Sequence, residues 1–459
     1  MQQPAQPRGG TAYLETFIQA NLRKPIPAQA AGVGGRVFVK GVVEPDGRLT
    51  GATVVRGLRP DCDREAVRVF SRFQAWSPAL KDGKPVRQTV SYPVQFKANA
   101  PFRYVNGARV DYYDADGKPL PDSSQAARRK LVSPLDTNGI PNGDLVIYKG
   151  KGASWREDFR LPLIRKRLSG KAPSGKPVYT LYYEHPDTGR QGFGYEVDED
   201  GALVGRTYYE NGRPAGSDWS YAANGVVTHR HETTGEQTVD TYWYPTGQIR
   251  MVKMQAVTKP PEPAAPEKLM AQWDSAGQPR VTNGNGPALY SQRVRSLADT
   301  NRRTQYVEQG AVTGGLKQGV WTGRYADGSY FYEEQYQNGV CQGGRAWESG
   351  KDTIRYTVPE QQPEFAGGMA GLGQFLGQNL RYPPDAQRAG AQGKVFISFV
   401  VCTDGTLCDY EVIKGAHPDL DREALRVVEA MSGRWKPGIQ RGRKVRVKYN
   451  LPINFALER

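Results

Sequence analysis

Four cysteines and four histidines in 459 residues leave little material for a disulfide framework or a metal centre, and no CxxC pair is present. Cys402 and Cys408 flank Asp404-Gly405. They form either a short hairpin disulfide, which requires an oxidising compartment, or two half-buried thiols. Any run of eighteen apolar residues is also missing, so the sequence offers no membrane-spanning helix. No signal peptide heads it. The polar start, Met1-Gln2-Gln3-Pro4-Ala5-Gln6-Pro7, reads as a processed N-terminus carrying an added methionine, with an export signal expected outside these residues.

Catalytic motifs are absent too: there is no GxSxG, no Walker loop and no dinucleotide fingerprint. His229 and His231 share one face of a strand, but no carboxylate or cysteine stands at a spacing that completes a metal site. Those two, with His185 and His417, read as solvated surface residues. The pairs Asp61/Asp63 and Asp419/Asp421 sit where helices begin, and capping accounts for them. The expectation is a protein that is not an enzyme and has neither cofactor nor metal.

What is plentiful is glycine (53), proline (33) and tyrosine (25), a mix that suits many short strands and tight turns. A chain this long implies roughly three or four domains. The net charge of +15 favours anionic partners, from nucleic acid to phospholipid head groups and acidic wall polymers. No stretch packs Lys and Arg into a tail, however, and nucleic-acid binding is not expected.

The two ends repeat each other. Gly35-Arg36-Val37-Phe38-Val39 matches Gly393-Lys394-Val395-Phe396-Ile397, and Asp46-Gly47 matches Asp404-Gly405, at a constant offset. Pro60-Asp61-Cys62-Asp63-Arg64-Glu65-Ala66 meets Pro418-Asp419-Leu420-Asp421-Arg422-Glu423-Ala424. After one inserted residue, Trp76, Pro78 and Gly83 meet Trp435, Pro437 and Gly442, and Pro93 and Phe96 meet Pro452 and Phe455. This is a duplicated domain. In the second copy a strand over 395–401 turns at Asp404-Gly405 and returns over 407–413. Asp419 or Asp421 then caps a helix, and Trp435 and Pro437 end it. A last strand over 444–455 alternates Val445, Val447, Tyr449, Leu451 and Ile453 on one face. Because it contains Pro452, it reads as an edge strand with main-chain groups free to pair with an added strand, or with the proline blunting that edge.

Pro363-Glu364-Phe365-Ala366-Gly367-Gly368, Leu380-Arg381-Tyr382-Pro383-Pro384-Asp385-Ala386 and Trp435-Lys436-Pro437-Gly438 complete a pattern that resembles the TonB C-terminal domain over 360–456. Residues 13–96 resemble the same domain with a weaker front end, in which the Pro-Glu-Phe-Gly-Gly lead is missing.

Between the copies, glycines recur at an even beat (Gly189, Gly201, Gly212, Gly225, Gly235, Gly247), with aromatic runs such as Tyr242-Trp243-Tyr244 between them. One strand per glycine makes a long β-meander. Gly319-Val320-Trp321-Thr322-Gly323-Arg324-Tyr325 and Glu334-Gln335-Tyr336-Gln337-Asn338-Gly339 resemble MORN-type repeats of the YwqK antitoxin-like family. The rings either form the core of these sheets or stack on sugars and peptides at a docking face. The expected class is α+β: two TonB-C-like β-β-α-β domains (1–100 and 359–459) flanking an all-β antiparallel meander. That meander divides into lobes 101–258 and 267–358, separated by a Pro-rich linker, 259–266.

The resemblance implies a periplasmic or cell-envelope protein that grips an extended segment, the TonB box, of an outer-membrane TonB-dependent transporter by strand addition. Val445, Val447, Tyr449 and Leu451 are its candidate partner-binding edge, with Val86, Thr89, Val90 and Tyr92 in the second copy. Coupling of energy to transport would draw on an inner-membrane proton-channel complex. The alternative is a structural envelope scaffold whose β-repeats bind wall glycan, such as peptidoglycan, or a partner protein. Exposed edges also permit a homodimer by strand exchange.

Overall fold

The computed structural model describes residues 3–121, 125–151, 154–258 and 262–457. Met1, Gln2 and Lys259-Pro260-Pro261, the first residues of the expected linker, lie outside these. The chain divides into two compact units, one formed by Met1–Gly286 with Gly314–Leu316, the other by Pro287–Thr313 with Lys317–Arg459. No helix among the described residues is long and apolar enough to cross a membrane.

The first unit opens with helices Thr11–Asn21 and Ile26–Ala30. Strands Gly35–Val43 and Leu49–Arg56, helix Pro60–Arg72, a small hairpin (Ala79–Lys81, Lys84–Val86) and strand Gln88–Phe96 follow. The second unit ends with the same series: Gly368–Asn379, Pro384–Arg388, Gly393–Val401, Leu407–Lys414, Pro418–Glu429, Gly438–Gln440, Arg443–Val445 and Val447–Phe455. Each module is a three-stranded antiparallel sheet with the opening strand in the centre, the returning strand on one side and the last strand on the other. Helix Pro418–Glu429 forms because Leu420, Ala424, Val427 and Val428 fall on one stripe, all of it buried against the sheet.

Even the irregularities are copied. Register shifts interrupt the first ladder at Phe38/Val39 and Lys40/Val42, and the second at Phe396/Ile397 and Ser398/Val400. Gly47 and Gly405 both take positive φ, and a Cβ on either would strike the backbone oxygen of Trp76 or Trp435. These turns therefore require glycine.

Two expectations are corrected here. The front end of the first copy is not missing. Gln6–Pro7 pairs with Trp76–Ser77 just as Glu364–Phe365 pairs with Trp435–Lys436, and Gly9-Gly10 stands where Gly367-Gly368 does. Strand pairing uses main chain, so Pro7 replaces Phe365 without loss of the ladder. The helix caps also differ. His417 is the N-cap, its Nδ1 accepting from the Asp419 amide at 3.3 Å, while Asp421 reaches back from the first turn to the Ala416 amide at 2.9 Å. The helix itself ends at Glu429, before Trp435.

Among the described residues the middle contains three large sheets and a two-stranded one, Glu184–His185 with Gly189–Arg190. Strands between Arg103 and Leu161 form a six-stranded sheet, the other ten between Ile164 and Val281 a ten-stranded one, and those between Gly286 and Tyr356 a six-stranded one. In the last two, neighbours follow chain order. The Pro-rich segment does not separate lobes. Lys268–Trp273, which follows it, pairs with Ile249–Ala256 in the ten-stranded sheet, and Gln255 Nε2 donates to the Ala265 carbonyl at 2.6 Å. The strand after it joins the sheet because Leu269, Ala271 and Trp273 bury.

The aromatic runs supply core. Trp219, Tyr221, Trp243 and Trp273 join Leu14, Phe17, Phe70, Phe73 and Trp76 in one hydrophobic cluster of the first unit. The second module has its own cluster, drawn only from residues 365–455.

Candidate functional site

The candidate site is the outer edge of the last strand in each module. In the second module Val447–Phe455 pairs with Gly393–Val401 over nine consecutive residues without a register shift, from Val401↔Val447 to Gly393↔Phe455. No other strand among the described residues pairs with its far side. The opposite edge of the sheet, Leu407–Lys414, carries the bulges, which twist an edge away from a straight partner. The flat edge is therefore the one suited to receive a strand.

Side chains alternate along it. Leu451, Ile453 and Phe455 are buried, and Tyr449 is half-buried against Phe399 and Trp435, with ring centroids 5.6 and 5.0 Å apart. Lys448, Asn450, Pro452 and Asn454 face outward and are exposed. Pro452 lies opposite Phe396 and has no N–H, so it must occupy a position whose main chain points away from the central strand. Alternation then turns outward the N–H and C=O groups of Lys448, Asn450 and Asn454, with the Pro452 carbonyl.

The first module confirms this parity and differs in one respect. Pro93 lies opposite Phe38, and two residues later the Gln95 carbonyl accepts from Gln19 Nε2 at 3.2 Å. Gln19 sits on helix Thr11–Asn21, and the counterpart of Gln19 in the second module is Gly377, where a Cβ would meet nothing within 4 Å. Lys24 Nζ likewise donates to the Lys97 carbonyl at 2.9 Å, and Gln88 Oε1 accepts from the Ala5 amide at 2.5 Å. Gln19 thus takes one outward carbonyl of the first module's edge strand, and Lys24 the carbonyl just past its end. Burial pushes the Tyr92 hydroxyl up to about 12, with Glu15 adding to the shift.

Of the residues expected on these edges, Val447, Tyr449 and Leu451 do lie in the strand, but they point into or along the core. Val445 does not lie in it. It belongs to Arg443–Val445, which pairs with Gly438–Gln440 and borders a cavity of about 360 Å³ with Tyr306, Tyr325 and Tyr330. In the first copy Thr89, Val90 and Tyr92 lie in Gln88–Phe96, whereas Val86 belongs to the hairpin strand Lys84–Val86. The break comes at Arg446, whose guanidinium pairs with Asp409 at 2.7 Å. The groups that matter, the outward amides of Lys448 and Asn450, carry no side-chain signal. Only the placement of Pro452 reveals them.

Cys402 and Cys408 form a disulfide across the hairpin turn. His229 and His231 are not free surface residues. Asp240 lies 2.7 Å from His229 Nε2 and 3.1 Å from His231 Nδ1, on the adjacent strand. No group of three or more residues suited to hold a metal occurs among the described residues.

Residues 21–98 and 378–457 both match the family described as Gram-negative bacterial TonB protein C-terminal. No curated protein matches the chain. Two NMR structures of the TonB C-terminal domain of Helicobacter pylori are similar in sequence. The longer is 26% identical over 20% of this chain and 81% of that one, with a TM-score of 0.18. The shorter is 27% identical over 20% of this chain and 95% of that one, with a TM-score of 0.17. At each of its two ends, over residues 21–98 and 378–457, this chain is similar to the TonB C-terminal domain.

Proposed function

We propose that the second module binds an extended segment of an outer-membrane transporter, the TonB box of that family, by adding it as a fourth strand beside Val447–Phe455. The carrying observation is the unshifted nine-residue ladder whose outer side is unpaired and whose Lys448, Asn450 and Asn454 amides point outward. Main-chain hydrogen bonds would supply affinity, while the outward face sets register. Load applied along such a strand is shared by all its hydrogen bonds, which is what coupling energy to transport asks of the contact. An envelope location and a binding rather than catalytic role belong to this reading.

The test is calorimetric titration of the full chain with TonB-box peptides. Asn450→Pro removes one outward N–H and leaves the internal ladder intact, as Pro452 already does two residues on. It should abolish binding without lowering the melting temperature. Tyr449→Pro is the contrasting variant: its N–H faces Phe399, so it should unfold the module. Binding that survives Asn450→Pro unchanged, or wild-type protein that binds no such peptide, would sink the proposal.

A further inference from the structure

A second site lies in the first unit and stands independently of the strand-addition reading. A cavity of about 640 Å³ opens between the Asn21–Gln29 segment, the six-stranded sheet that follows the first module, and the ten-stranded sheet. Arg23, Lys24, Arg109 and Arg206 line it, and no aspartate or glutamate does. The acids nearby already have partners. Glu65 pairs with Arg68 at 2.6 Å and accepts the Arg23 backbone amide at 2.5 Å, and Asp111 holds Arg109 at 2.8 Å. Asp136 accepts the amides of Asn138 and Ile140 within its own turn.

Two of the arginines have no carboxylate partner among the described residues. Arg206 lies over the Trp219 ring at 3.9 Å, and its buried Nε makes no hydrogen bond. Arg23 lies 5.8 Å from the Tyr221 ring centroid. Burial, reinforced by Arg68 and Arg206 and offset in part by Tyr221 and Glu65, lowers the pKa of Arg23. Rings offset part of a desolvated guanidinium's cost, but an unpaired Nε in a low-dielectric wall still lacks an acceptor.

We propose that this cavity binds an acidic sugar, its carboxylate or phosphate held by Arg23 and Arg206. The size exceeds what a bare anion fills and falls in the range of small-ligand sites. The rest of the wall suits a polyhydroxylated body. Tyr195 and Tyr221 offer ring faces and hydroxyls, Asn138 an amide that both donates and accepts, and Gln191 an amide oxygen, its nitrogen donating to Asn211 at 3.1 Å. Guanidinium groups match carboxylate and phosphate by the same two-pronged geometry, so the source of the charge is decided by experiment.

The probes are digalacturonate, the neutral galactose disaccharide and inorganic phosphate, each titrated calorimetrically into the full chain at low salt. Digalacturonate should bind, phosphate should compete with it more weakly, and the neutral disaccharide should give no heat. Arg23→Gln and Arg206→Gln should each weaken digalacturonate at least tenfold with the melting temperature unchanged. If Arg206→Gln lowers the melting temperature, Arg23→Gln decides alone. The proposal is overturned if no anion binds, if the neutral sugar binds as tightly, if phosphate binds and digalacturonate does not, or if Arg23→Gln leaves affinity intact.

Discussion

At residues 44 and 50 the first module uses a hydrogen bond, Thr50 Oγ1 donating to Glu44 Oε1 at 2.7 Å. At the corresponding positions, 402 and 408, the second module uses a disulfide. Both fasten the same hairpin, but only one responds to redox conditions. A covalent link closing so short a loop contributes about 2 kcal/mol through the unfolded chain. Cys402→Ser should therefore lower the unfolding free energy of the second unit by that amount, read as a lower urea midpoint, and reductant should reproduce the loss in the wild type while leaving the first unit's midpoint unchanged. The turn itself was legible in Asp404-Gly405, where the Thr406 hydroxyl and amide hold the Asp404 carboxyl below its usual range. Whether the two sulfurs join was not legible, because that depends on the ladder placing Cys408 opposite Val400.

Elements that are identical in fold are anchored differently. The first module lays helix Thr11–Asn21 on the ten-stranded sheet: Asn21 Oδ1 accepts the Val227 amide at 2.8 Å, and Tyr13 meets Trp273 edge-on at 4.7 Å. In the second module Gly371 stands where Tyr13 does, and Phe375 of the same helix instead packs at a tilt against its own Phe365, at 5.5 Å. This module is fastened by its hairpin tip. Arg441 meets the buried Glu334 at 2.8 Å and lies over the Tyr332 ring at 3.5 Å, while Tyr336 and Tyr356 donate to the same carboxylate. Arg441→Met would strand that charge, and loss of one partner of a buried pair costs roughly 3–5 kcal/mol. The expected readout is a drop in the second unit's denaturation midpoint with the first unit unaffected.

Helices, hairpins and the proline-marked edge were legible because period, turn residues and Pro452 each have a local cause. The break at Arg446 was not, since alternation runs unbroken through Val445 and Val447. Gln19 reaching Gln95 was not either, as such contacts leave no spacing to read. That contact can be transplanted. Gly377→Gln replaces a helical glycine where space is open, so it should stabilise the helix by about 0.5–1 kcal/mol. Its amide should also reach the Asn454 carbonyl. Peptide titration should find affinity lowered at a raised melting temperature. A variant that melts higher yet binds as before would show that the edge is not blocked in this way.

Across the whole molecule, the strand-addition proposal gives one binding edge rather than two. The first copy shares a core with the sheets after it and has side chains across its edge, whereas the second keeps a separate core and an open edge. One peptide per chain is the expected stoichiometry by calorimetry, and Gln19→Ala should raise it toward two. Family resemblance alone could not predict this inequality, because both copies carry the same motif and differ in what lies against them.

The asymmetry also bears on how copies of this chain meet one another. A molecule with two matching open edges could join head to tail without limit and grow into filaments. With Gln19 closing one of them, the remaining pair-forming surface is used up as soon as a single neighbour takes it. One glutamine would therefore set where any self-association by strand exchange stops.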